Sequence, residues 1–265
     1  MAGIKRNHEG TAIQTQRQSP YIGMFEHFRD ELDEHHERRD RIGKVSRDIT
    51  ANSKKIIRKV NSSIPPHISK EVTLRETTIK DLFTSIQSDL QGLNAHRYQR
   101  QISSGLQEYM EFLSFKHYLE TQTLINLSDA QKQIQDGILL TPEDYVLGIY
   151  DLTGEMMRFS ITAIATNGVL PSASLSSSGS EKNPAAARDV LKDLRELEAC
   201  LEGLYVTNWS AREMNKKMTV TQESVRKVEQ GAYGLMVRGN ERPKGWVPDL
   251  TIDSGPRDVE MVESY

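Results

Sequence analysis

Two short stretches of this chain place carboxylates at helical spacing: Glu108 and Glu111 in "LQEYMEFLSF", and Asp151 and Glu155 in "DLTGEMMR". Separations of three and four residues put each pair on one helix face, a turn apart. If the two faces oppose each other, four carboxylates converge, and their repulsion must be offset by a cation or by shared protons. An all-oxygen donor set suits a hard ion such as Mg²⁺ or Mn²⁺. Such an ion could polarise a phosphodiester oxygen and lower the pKa of a coordinated water, which supplies a nucleophile without a histidine base. Arg97, Arg100 and Arg158 fall on the same stripes and are candidate phosphate ligands. A glutamate pair one turn apart is also what a solvated helix face looks like, and periodicity alone leaves both readings open.

The helices that must carry these groups can be read from their apolar spacing. Over about 95–124, Ile102, Leu106, Tyr109 and Leu113 form a core stripe. Arg97, Arg100, Ser104, Glu108, Glu111, Phe115 and Tyr118 step along the opposite side. Aromatic residues at the end of that second stripe argue for a buried or cavity-lining face. "TPED" (141–144) offers Thr at the N-cap, Pro at N1 and two acids in the first turn, and opens a helix to Asn167-Gly168. Its core stripe is Tyr145, Ile149, Leu152, Met156, Phe159 and Ala163. Asp144, Asp151, Glu155, Arg158 and Thr162 line a neighbouring face, with Gly148 on it and Gly154 beside it. Glycine costs a helix about 1 kcal/mol against alanine, so these two suggest a close approach by another helix or a ligand.

Further helices are expected over 20–60, ended by "SSIPP", and over 68–91, 126–137, 185–206 and 208–238. No strand-period segment of useful length occurs. The expected fold is all-α, six to seven mostly long antiparallel helices in one domain over 20–240. A polar tail (1–19), a flexible Ser-rich insertion (171–184) and a loosely ordered Pro-containing tail (241–265) complete the chain. The 265 residues carry a formal net charge of −3, so binding to a polyanion must come from a local patch. The run Lys54, Lys55, Arg58, Lys59 is one such candidate for RNA. "DEHHERRDR" (33–41) reads as a solvated face, because its adjacent histidines point about 100° apart. A ferritin-like di-metal centre would need Glu-x-x-His, which neither carboxylate helix has. Cys200, the only cysteine, is expected as core packing in a reducing compartment. With no apolar run near the roughly 18–20 residues of a membrane span, the expectation is a cytoplasmic and nuclear protein.

"GLQEYMEFLSFKHYLET", "TPEDYVLGIYDLTGEMMR", "KVEQGAYGLMVRG" and "KVSRDITANSKKII" together resemble the translin-associated factor X family, the partner subunits of translin. The resemblance spans about 22–240 and implies an all-α protein that assembles with translin into a closed hetero-octamer. It further implies an Mg²⁺-dependent endoribonuclease acting on a small-RNA passenger strand, or in fungi on tRNA leader fragments. Glu108, Glu111, Asp151 and Glu155 would be its catalytic, metal-binding carboxylates. A non-catalytic helical RNA-binding or scaffold subunit is the alternative.

Overall fold

The computed structural model describes residues 19–62, 70–134, 136–171, 189–204 and 210–238. The predicted tails except Ser19, and all of the Ser-rich insertion but Pro171, lie outside the described residues. The chain divides between Arg41 and Ile42 into two compact units. One helix, α1 (Ile22–Ser62), runs through that point. In the first unit its apolar spacing is helical, as the sequence predicts, but Tyr21, Met24, Phe25, Phe28 and Leu32 are exposed.

The second unit adds α2 (Lys70–Ile86), α3 (Leu93–Arg97), α4 (Gln99–Thr121), α5 (Leu127–Gln133), α6 (Pro142–Asn167), α7 (Val190–Glu202) and α8 (Ala211–Arg238). The described residues are all-α, with eight α-helices and a 3-10 turn at Ser88–Leu90. None of these helices is long and apolar enough to cross a membrane. The predicted single helix over 95–124 is two. Tyr98, at φ −106° and ψ 11°, leaves the helical region and separates α3 from α4. Gly92 begins α3 at φ 60°, a conformation glycine reaches at little cost. The predicted Thr141 cap forms, accepting from the Asp144 amide at 3.1 Å, and Asn126 caps α5 by accepting from the Asp129 amide at 2.8 Å. Each satisfies an amide that the first turn leaves without an internal partner.

Burial of Ile42, Ile49 and Ile56 at intervals of seven fixes the α1 face in this unit. Ile79, Phe83 and Ile86 of α2 and Ile102, Leu106, Met110 and Phe112 of α4 join the same core. Each fully buried side chain of this size stabilises the fold by about 1.5–3 kcal/mol before entropy is counted. α4 packs on α6, and α6 on both α7 and α8.

Two glycines set how closely the helices meet. A Cβ on Gly105 would lie 2.9 Å from Ser46 Oγ and 3.0 Å from the Ser46 carbonyl of α1. A Cβ on Gly148 would lie 2.7 Å from Met110 Cβ and 3.0 Å from the Gln107 carbonyl of α4. Asp144 then pins the start of α6 to α4. Buried, it accepts from Gln99 at 2.6 Å, from Gln107 at 2.9 Å, from Thr141 at 2.9 Å and from the Ser103 hydroxyl. Asp144 therefore keeps the angle its spacing predicts but serves as a register pin between helices.

Gly148→Ala should lower stability by about 1–3 kcal/mol despite alanine's better helix propensity, because the new methyl overlaps an inner atom of Met110. Urea denaturation of the variant beside wild type measures this; unchanged stability would mean the helices have room to part.

Candidate functional site

Helices α1, α4, α6 and α8 line one cavity of about 480 Å³ in the second unit. α4 contributes Glu108 and Glu111; α6 contributes Asp151, Glu155, Arg158 and Gly154; α1 contributes Lys54 and Arg58; α8 contributes Lys217. All four carboxylates singled out by spacing thus face one space. The reason is local. Gly148 lets α6 approach α4 closely, and the i,i+3 and i,i+4 pairs then sit on the facing sides one turn further along.

The electrostatics follow from that crowding. Lys217 Nζ donates to both oxygens of Asp151, at 2.5 and 2.6 Å. Lys54 Nζ lies 2.8 Å from Glu108 Oε1, and Arg158 donates to Glu155 Oε1. The Glu108 hydrogen bond, together with the charges of Glu108, Glu111 and Asp151, raises the Lys54 pKa against the opposing effect of partial burial. Glu111 is different. Burial first, then the charges of Asp151, Glu108 and Glu155, push its carboxyl up to about 9, so it holds a proton at neutral pH. Glu108 Oε2 is buried without a hydrogen-bond partner.

These features bear on whether the residues fit a divalent cation. The donor set is all-oxygen, one donor atom is buried and unsatisfied, and one acid stays protonated because of its burial and the neighbouring carboxylates. In this state the side chains are not drawn into a cage. Among the described residues no group of three His, Cys, Asp or Glu side chains is arranged to hold an ion, because three of the four acids turn to a basic neighbour. The chemistry of the donors fits; their rotamers serve ion pairs.

Of the basic residues predicted for RNA, Lys54, Arg58 and Arg158 line the cavity, whereas Lys55, Arg97 and Arg100 do not. Lys55 is exposed and rotated about 100° from Lys54. Arg97 sits in α3, beyond the break at Tyr98. Steps of four drift by about 40° each, so Arg100 points about 80° away from Glu108 and lies about 12 Å along the axis. Ser104 bonds instead to Ser46 at 3.1 Å, and Thr162 is exposed. Phe115 and Tyr118 are buried, Phe115 against Phe159, with the Tyr118 hydroxyl donating to Asp193 at 2.7 Å. Cys200 is exposed, not core.

Lys217 is the site residue that periodicity missed. Its stretch, "NKKMTV", carries no motif, and only a tertiary contact between α6 and α8 brings it to Asp151. The predicted reason for Gly148 and Gly154 divides between them. Gly148 admits a helix. Gly154 lines the cavity, and a Cβ there would meet nothing within 4 Å.

Two expectations follow. Gly154→Ala should stabilise α6 by up to about 1 kcal/mol, while Gly154→Leu fills the cavity and weakens ligand binding; a Leu variant that binds as wild type would deny the opening a role. Glu111 has a folded-state pKa above its unfolded value of about 4.5, so the folded chain keeps a proton the unfolded chain has lost. Its contribution makes stability fall as pH rises from about 4.5 toward 9, by at most about 1.4 kcal/mol per unit. Glu111→Gln should flatten that decline in EDTA buffer, read from urea midpoints at pH 6 and 8.

Comparison with known proteins agrees with this architecture. The chain is 28% identical over 262 residues to Translin-associated protein X of Mus musculus, covering 88% of this chain and 84% of that protein. It is 31% identical over 222 residues to the Translin-associated protein X homolog of Schizosaccharomyces pombe, covering 81% and 87%. The crystal structure of AfC3PO shares the fold at a TM-score of 0.58 and 17% identity, over 82% of this chain and 98% of that one. The Translin family pattern matches residues 37–239, and the chain belongs to the translin family.

Proposed function

We propose that this chain is the catalytic subunit of a translin-containing, Mg²⁺-dependent endoribonuclease, with Mn²⁺ as an alternative ion. The observation that carries the reading is the cavity in which Glu108, Glu111, Asp151 and Glu155 face Lys54, Arg58, Arg158 and Lys217. Acids able to hold a hard cation and bases able to hold phosphates occur together, as phosphodiester hydrolysis requires. The relatives' name, Translin-associated protein X, supports translin as the partner, and a hetero-octamer is the assembly we expect.

Glu108, Glu111, Asp151 and Glu155 would hold the ion, which when bound supplies Lewis-acid polarisation of the phosphodiester and a more acidic water. Glu111 gives up its proton on binding, since a carboxylate ligand must be ionised. Lys54, Arg58 and Arg158 hold the RNA backbone, and the space beside Gly154 admits it. The substrate is single-stranded or small structured RNA, either a small-RNA passenger strand or a tRNA leader fragment.

A second reading has one observation in its favour. Three of the four acids are already in ion pairs, as they would be in a non-catalytic RNA-binding or scaffold subunit. Cleavage of a labelled single-stranded RNA by the complex with translin separates the two. Glu108→Gln and Asp151→Asn should each lower the rate by at least about a hundredfold with assembly intact, and EDTA should abolish it. Full activity in both variants, or indifference to EDTA, removes the catalytic reading. Hydrolysis by water also predicts products without a 2′,3′-cyclic phosphate.

A further inference from the structure

We propose that Lys217 and Lys54 are exchangeable internal counter-ions: each neutralises a cavity carboxylate in the ligand-free chain and turns to a substrate phosphate when a divalent cation takes that carboxylate. This rests on the reading of the cavity as a metal-dependent RNA site and adds a residue and a binding order to it.

Occupancy is the first argument. Lys217 Nζ contacts both Asp151 oxygens, and Lys54 Nζ takes Glu108 Oε1, leaving Oε2 as the donor atom of Glu108 without a partner. Both Asp151 oxygens thus carry an ammonium contact, and that positive charge repels an incoming cation while it stays. Charge is the second. Four acidic and four basic side chains line the cavity and cancel once Glu111 is ionised, so a divalent cation bound to the ionised set would leave a surplus of two positive charges. That surplus suits a phosphodiester backbone, which carries one negative charge per linkage. Reach is the third: lysine is a point charge on a flexible four-carbon stem and can change partner without moving its helix. Lys217, with its side chain 22% exposed, stands at the boundary between the buried acids and the open cavity.

Two consequences follow. Cation and RNA bind with positive coupling, each strengthening the other by the same factor. Lys217 also opposes the cation while assisting the phosphate, so its removal moves the two affinities in opposite directions. A purely structural ion pair would weaken both.

The test uses the full chain assembled with translin, Mn²⁺ titrated by calorimetry, and anisotropy of a labelled single-stranded phosphorothioate RNA in saturating Mn²⁺. Lys217→Met should bind Mn²⁺ about three- to tenfold more tightly and the RNA about three- to tenfold more weakly. Lys217→Gln, which keeps a hydrogen bond to Asp151 without the charge, should show the same pair of shifts if the Met variant folds poorly. Lys217→Arg should recover the RNA affinity. Mn²⁺ affinity that is unchanged or weaker in both neutral variants overturns the exchange, while metal binding by the wild type leaves the catalytic reading standing. A wild type that binds no Mn²⁺ sinks both.

Discussion

Carboxylates gathered in a partly desolvated cavity repel one another, and the fold must supply positive charge or leave protons in place. Both remedies occur here. Lys217, Lys54 and Arg158 each take one acid, and the carboxyl of the fourth, buried Glu111, is pushed up to about 9. The same constraint governs the scaffold. Close contact of α4 and α6 at Gly148 is what brings the two acid pairs together, and the contact of α4 with α1 at Gly105 brings Lys54 within reach of Glu108. Asp144, held by Gln99, Ser103, Gln107 and Thr141, fixes the register in which those contacts meet.

Helix existence and phase were legible because both follow from local spacing. The caps at Asn126 and Thr141, the core faces of α4 and α6 and the common side of each acid pair need only a period of about 3.6 residues. The stripe argument failed where it crossed a break. Tyr98 ends the phase, so Arg97 cannot be extrapolated from Glu108, and Arg100 drifts off even within α4. Asp144 matched the acidic face by angle but lies at the helix start, where side chains cap and brace instead of facing a neighbouring cavity.

Tertiary partners were not legible. Lys217 lies 66 residues from Asp151, and nothing in its own stretch marks it apart from other lysines of α8. Cys200 shows the converse error. An apolar neighbourhood in sequence suggests burial, but α7 turns that residue outward. The two glycines of α6 looked alike in sequence, and only the surroundings distinguish a helix contact at Gly148 from free space at Gly154.

Exposure ranks the three ion pairs by how readily they exchange. Arg158 is 65% exposed, so water already solvates most of its charge and leaving changes little for the guanidinium, whereas Glu155 is 4% exposed and needs the incoming cation to replace that charge. Lys54, 54% exposed, is intermediate in setting but holds a glutamate that is 19% exposed. Lys217 and Asp151 are exposed by only 22% and 31%, with both carboxylate oxygens engaged, so this pair resists separation most. In the proposed exchange, a cation would therefore displace Arg158 and Lys54 at lower cost to the departing base than Lys217. On that proposal Arg158 and Lys54 would be released before Lys217, and an anion drawn in by the first charges would supply the partner that makes release of the last one favourable. The order of the proposed exchange thus follows from burial of the departing base, with the more enclosed lysine as its final step.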